Sequence, residues 1–196
     1  PMAAYGTGAQ PGVFLEMGAL DGMLFSNSLL FEHCLGWSGV LIEGQPKNVK
    51  KLMVNRPCAT KVPEAVCAKG GANFISMSLQ EGTAYDLSVR NGAQAKVASV
   101  KVPCRPLSEI LAQHKITRIN FFSLDVEGAE LKVLQTLDWT KVKIDVLMVE
   151  ADMLSLVSKE NKRKSQLVRE LVVSKGMKLV PMKHVCKPGA AHDPCV

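Results

Sequence analysis

Apolar and polar positions alternate in blocks along the chain. Short apolar runs closed by glycine, proline or an acid give way to stretches with helical spacing. Residues 12–18 (GVFLEMG) read as a short buried strand closed by a glycine turn. Residues 26–36 read as a helix that Ser26 can cap and Gly36 can stop, with Leu29, Leu30 and Cys34 at helical spacing. A second strand is predicted over 38–42, ending at Glu43, and Pro46 opens a second helix running to about Asn55.

Residues 60–68 have the character of a third strand, and 73–78 and 98–103 of two shorter ones. Between them lies a polar, glycine-punctuated stretch, 81–94, read as an inserted loop and a candidate substrate lid. A helix follows over 106–114. The run 119–125 (INFFSLD) is the most buried-looking strand. Residues 128–137 form an amphipathic helix with Leu131, Leu134 and Leu137 on one stripe. A strand over 144–150, a helix over 161–175 and a last strand over 177–185 complete the pattern. Near-continuous apolar strands alternating with helices predict an α/β fold: a mostly parallel sheet with helices on both faces. Ligands in such sheets sit beyond the carboxyl ends of the strands.

The 196 residues suit one domain, 1–196, with 1–11 as a lead-in. Opening on Pro1 is compatible with excision from a longer protein. At 47% apolar and 21% charged the composition is that of an ordinary globular domain. The longest apolar stretches are strand-length, so no membrane span is expected. The net charge of +6 owes much to 159–164 (KENKRK), read as a solvated helix start. Aromatic residues make up 5%, few for a nucleic-acid-binding surface. Of six cysteines, Cys34, Cys67 and Cys104 lie in apolar stretches and are expected as buried free thiols. His184, Cys186, His192 and Cys195 have metal-ligand chemistry, but their spacing matches no common zinc pattern; a Cys186–Cys195 disulfide is the other reading.

Three motifs carry chemistry. In the first, FLEMGALDG, Gly18 and Gly22 punctuate a strand-to-helix turn, Glu16 can hold an ammonium group, and backbone N–H groups can hold a carboxylate. Leu20 occupies the second glycine position of a dinucleotide fingerprint, so that motif fails, and no Gly-Lys-Ser/Thr follows to make a P-loop. In the second, GVLIEGQP, Glu43 ends a strand where an acid can accept hydrogen bonds from both hydroxyls of a ribose. In the third, FFSLDVEGAEL, Asp125 and Glu127 lie where a buried strand becomes a helix. Acids there are also favoured by the helix dipole alone. Glu150 and Asp152 end the neighbouring strand, and Asp125 with Glu150 could hold a divalent cation, although no metal constellation is compelling.

These stretches together resemble the FkbM-type methyltransferase family. The matching segments are 14–27 (FLEMGALDGMLFSN), 36–46 (GWSGVLIEGQP), 65–67, 121–139 (FFSLDVEGAELKVLQTLDW) and 144–150. The resemblance implies a class I methyltransferase fold, Rossmann-like, a three-layer sandwich on a seven-stranded sheet with one antiparallel strand. It implies S-adenosylmethionine as donor and a hydroxyl acceptor on a sugar, glycan or small metabolite. Glu16, Gly18 and Gly22 would surround the methionine part, with Ala19, Asp21, Ser26 and Asn27 in the same segment. Glu43, followed by Gly44 and Gln45, would hold the ribose. Ala65 and Val66 would lie against adenine, and Asp125 and Glu127 beside the transferred methyl. A hydroxyl must lose its proton, so Asp125 or Glu127 is the expected base, with Glu150 in reserve. His33 and His114, on expected helices, are poor candidates. Rival readings are a nucleic-acid methyltransferase, a donor-binding module without catalysis, and a nucleotide-dependent oxidoreductase. Neither acceptor, oligomeric state nor compartment has a signal in the sequence.

Overall fold

A computed structural model describes residues 10–71, 73–79, 85–87, 98–150 and 159–180. Five parallel strands form the central sheet: β1 (Val13–Met17), β2 (Ser38–Ile42), β3 (Thr60–Val62), β7 (Arg118–Leu124) and β8 (Lys143–Val149), in the order β3-β2-β1-β7-β8. A second sheet of three strands, in the order β4-β6-β5, joins β4 (Ala65–Val66), β5 (Phe74–Ser78) and β6 (Ser99–Arg105). Here β4 runs parallel to β6 and β5 antiparallel to it.

Among the described residues the central sheet thus has five strands, all parallel, and the antiparallel strand lies in a separate small sheet. The single strand expected over 60–68 is two. Pro63, which has no N–H to give a ladder, stands in the break, and β3 and β4 join different sheets. Met177–Val180 adopts no strand, and the rest of the strand expected over 177–185 lies outside the described residues. So do Asp152, most of the expected lid 81–94, and all four C-terminal histidine and cysteine positions.

Residues alternate between the two faces of a strand, and β1 shows what that does here. Leu15 and Met17 enter a core with Val40, Phe122 and Leu124, closed by α3 (Leu107–Gln113), α4 (Glu130–Gln135) and Val172 of α5 (Lys159–Ser174). Phe14 enters a second core with Leu41 and Leu52, which Phe31 and Trp37 cover. Phe31 belongs to α1 (Leu29–Leu35) and Leu52 to α2 (Pro46–Asn55). Glu16 shares the Phe14 face, so its carboxylate is driven beneath the loop that leads into α1.

That explains why α1 starts at Leu29 and not at Ser26. The Ser26 hydroxyl donates to Glu16, and Ser28, at the N-cap position, makes no side-chain cap. Two expected elements match residue for residue, β2 and α2. The second is secured by Pro46 in its first turn and by the Gln45 side chain, which accepts from Lys47 N and Asn48 N.

Cys67 and Cys104 are joined in a disulfide, not held as free thiols. Cys34, half-buried on α1, and Cys58, exposed, take no part in a disulfide. No helix among the described residues is long and apolar enough to cross a membrane.

Candidate functional site

Because the five strands are parallel, their carboxyl ends meet on one edge of the sheet. The backbone there continues the ladder by one step. Gly18 N donates to Ile42 O at 3.1 Å, Glu43 N to Val62 O at 3.1 Å, Asp125 N to Met17 O at 3.1 Å and Glu150 N to Leu124 O at 2.9 Å. Glu43, Gly18, Asp125 and Glu150 thus follow β2, β1, β7 and β8 in spatial order.

Gly18 (φ +78°) is obligatory: a Cβ would lie 1.7 Å from the Asp125 carbonyl oxygen. Its close approach is to the neighbouring strand end. Gly22 (φ +80°) packs on Arg56 and Leu52 in the same way.

Two clefts of about 530 and 540 Å³ open along this edge and share Met17, Gly18, Glu43 and Asp125. Ile42, Gly44, Ala65, Val66 and Met77 give the first an apolar wall that also includes Asp86. The second is polar, with Glu16, Asn27, Asn48, Ser123 and Glu127, and includes Leu24 and Phe25. Of the residues expected at the site, Ala19, Asp21, Gly22, Ser26, Gln45 and Glu150 line neither cleft.

Most of these six shape the edge instead. Ala19 is buried, and its N–H donates to Ile42 O at 3.2 Å. Asp21 Oδ1 accepts from Met23 N at 2.9 Å and Leu24 N at 2.8 Å, turning the loop. Gln45 caps α2.

Glu16 is buried, and its carboxylate accepts from Ser26 Oγ (2.7 Å), Ser28 Oγ (2.6 Å) and Asn27 N (2.7 Å). A carboxylate has about four acceptor positions, so one is left for a ligand. Glu43 is buried and accepts from Leu20 N at 2.9 Å and Gln45 N at 2.7 Å, one bond on each oxygen. Burial pushes its carboxyl above the ordinary range, opposed by hydrogen bonds from Gln45, Leu20, Asn48 and Gly44.

Asp125 is pushed up to about 8: first by burial, then by a hydrogen bond and charge repulsion from Glu150, with Glu127 and Glu130 adding repulsion. The parallel register Leu124↔Val149 brings Asp125 and Glu150 together. Glu127 stands in the left-handed region at φ +55°, in a turn whose Val126 and Gly128 N–H groups are held by Glu130 Oε1 at 3.1 and 3.0 Å. Glu130 is thereby a brace for the turn. Among the described residues no group of three or more metal-ligand side chains comes together. His33 is exposed on α1, and His114, at the end of α3, has Nε2 buried without a hydrogen-bond partner.

The methyltransferase FkbM domain matches residues 16–166. The chain belongs to the FkbM methyltransferase family. The match to the FkbM domain begins at Glu16, takes in both clefts and ends within α5. Neither the curated proteins nor the solved structures gave a match.

Sequence reasoning missed several parts of the site. Asn48, Ser123 and Met77 line the clefts from positions that read as ordinary helix or strand. Arg56 is fully buried at the end of α2. It donates to Glu32 Oε2 (2.7 Å from Nε), Gly22 O (2.9 Å), Ser26 Oγ (3.0 Å) and Ser28 Oγ (3.2 Å), and lies 5.6 Å from the centre of the Phe14 ring. It binds the same two serines as Glu16. Nothing local in the sequence marks it.

Proposed function

We propose that the chain is an S-adenosylmethionine-dependent methyltransferase that methylates a hydroxyl of a small molecule or glycan. One observation carries this reading: two adjoining clefts along the carboxyl edge of a parallel sheet, with Glu43 and Asp125 common to both. The apolar wall of Ala65, Val66 and Met77 suits a purine. The Glu43 carboxylate, at the end of β2 and bordering both clefts, suits a ribose diol. Glu16 has one position left for an ammonium group.

When bound, S-adenosylmethionine supplies a methyl group already activated on a cationic sulfur. What remains for the protein is alignment and proton transfer. Asp125 is the group we assign to the proton. It borders both clefts, and its carboxyl, raised to about 8, is a stronger base than an ordinary carboxylate once ionised. Ionised, Asp125 would take the hydroxyl proton on a carboxylate oxygen as the methyl group passed from the donor's sulfur to the hydroxyl oxygen, leaving S-adenosylhomocysteine. Glu127 lines the polar cleft and is the second candidate. Glu150 lines neither cleft and acts on Asp125 through their hydrogen bond.

Calorimetric titration with S-adenosylmethionine and S-adenosylhomocysteine tests the donor site. The wild-type chain is expected to bind both, and Glu43→Ala to weaken binding at least about tenfold, the loss of one charge-assisted hydrogen bond or more. Circular dichroism confirms that the variant is folded. A folded wild-type chain that binds neither compound defeats the reading in favour of a domain without catalysis.

A further inference from the structure

The loop between β1 and α1 is bound by two buried side chains of opposite charge type. Beneath it, the Glu16 carboxylate accepts from Ser26, Asn27 and Ser28. From the end of α2, Arg56 donates to Gly22 O, Ser26 Oγ and Ser28 Oγ, and Asn55 donates to Asp21 O at 2.9 Å. Ser26 and Ser28 are thus shared between an arginine and a carboxylate.

Chemistry fixes the direction of these bonds. A guanidinium carries N–H donors and no acceptor, and a serine hydroxyl carries one proton. Each serine oxygen therefore accepts from Arg56, at 3.0 and 3.2 Å, and its single proton has to point elsewhere. Both protons point to the same atom, Glu16 Oε2, at 2.7 and 2.6 Å. Oε2 is then filled by two donors. Oε1 accepts from Asn27 N at 2.7 Å and carries the remaining acceptor position of a side chain that lines the polar cleft.

Two further observations set this apart from loop packing. Ser28 stands at the N-cap of α1, where serine is a favoured cap, yet it makes no side-chain cap. Its hydroxyl serves Glu16 instead. The charge of Arg56 is met by Glu32, through Nε at 2.7 Å and through Nη2, so Arg56 reaches Glu16 through neutral hydroxyls. A direct ion pair would neutralise the carboxylate against a cationic ligand.

We propose that Arg56 is a positioning residue for the ammonium group of the donor. By holding the two serine oxygens it turns both hydroxyl protons onto Glu16 Oε2 and leaves Oε1 for the ammonium N–H groups. Without it the hydroxyls are released to rotate, and Glu16 loses the bonds that orient it. The inference rests on the methyltransferase reading and deepens it.

The test is calorimetric titration with S-adenosylhomocysteine and with its desamino analogue, which keeps the carboxylate but has hydrogen in place of the ammonium group. Wild type is expected to prefer S-adenosylhomocysteine at least about tenfold, the worth of one charge-assisted hydrogen bond, and Glu16→Gln to lose that preference. Arg56→Met with Glu32→Leu should narrow the preference at least about threefold, leaving affinity for the desamino analogue within about twofold. Arg56→Lys keeps a charge facing Glu32 without the guanidinium fork, and should do the same if the apolar pair fails to fold. So should Ser26→Ala with Ser28→Ala. Added to that serine pair, Arg56→Lys should change the preference no further, because its effect runs through the hydroxyls. Circular dichroism selects the folded variants.

A preference unchanged in the folded serine pair or in a folded Arg56 variant overturns the proposal. So does equal weakening of both ligands, the mark of a scaffold, or a further loss from Arg56→Lys once the serines are gone. Equal binding of the two ligands by wild type removes the ammonium contact and the proposal, and leaves the donor site standing. If wild type binds neither, the donor assignment falls and takes this inference with it. If Glu16→Gln removes the preference while the Arg56 and serine variants keep it, only this inference falls.

Discussion

Asp125 lies under two opposed demands. Burial and three neighbouring acids favour its protonated form, whereas the proton transfer we propose requires it ionised. Its carboxyl is raised from 3.8 to about 8, so at pH 7 it is mostly protonated. Turnover should therefore climb with pH and level off above about 8. Asp125→Asn should lower turnover about 10²–10³-fold and abolish that climb, with S-adenosylhomocysteine affinity retained. Stability runs the other way. A carboxyl whose pKa is raised on folding stabilises the native state fully below its unfolded pKa, and that contribution is lost as pH rises towards 8. Asp125→Asn should thus melt higher than wild type at pH 8 and similarly to it near pH 4. A pH–rate profile beside melting curves checks both. Unchanged turnover in the variant moves the base assignment to Glu127.

Between elements, the deciding contacts are polar and long-range. Glu32 of α1 and Arg56 after α2 form a buried ion pair whose remaining donors hold the Gly22–Ser28 loop. Removing one partner leaves the other charged and buried, so Arg56→Met should destabilise the chain by about 3–5 kcal/mol. Replacing both, Arg56→Met with Glu32→Leu, should recover much of that, because two apolar groups leave no uncompensated charge. Denaturant unfolding of the four proteins of the cycle measures the coupling; equal losses in the single and double variants would show that Arg56 acts through its bonds to the loop alone. Elements with strong local signals were legible in advance: β2 and α2 match their expected limits. Those shaped by this network were not. α1 is shorter because Ser26 and Ser28 serve Glu16, and α4 begins only at Glu130 because the preceding turn is held by the Glu130 side chain itself.

At the scale of the whole molecule, the Cys67–Cys104 disulfide joins points 37 residues apart and ties the end of β4, which carries Ala65 and Val66, to β6. Closing a loop of that length restricts the unfolded chain, so reduction or Cys104→Ala should cost about 2–4 kcal/mol. Melting curves with and without reductant, alongside peptide mapping of the oxidised protein, test this; an unchanged curve in a chain proven to be oxidised would refute it. The loss should also weaken donor binding if β4 forms the purine wall.

The sequence by itself determined the α/β class, the parallel strands and the acids that end them. These follow from apolar runs of strand length and the turn residues that close them, which are properties of neighbours in the chain. It also carried the family, through the segments around Glu16, Glu43 and Asp125. Only the tertiary structure decided that Asp125 meets Glu150, that Cys67 meets Cys104, that Arg56 and Glu16 share two serines, and that Phe25 stands at the cleft. Each of these depends on which strand lies beside which, and in what register. That is set by packing between residues far apart in the chain, 37 residues for the disulfide, beyond the reach of any local pattern.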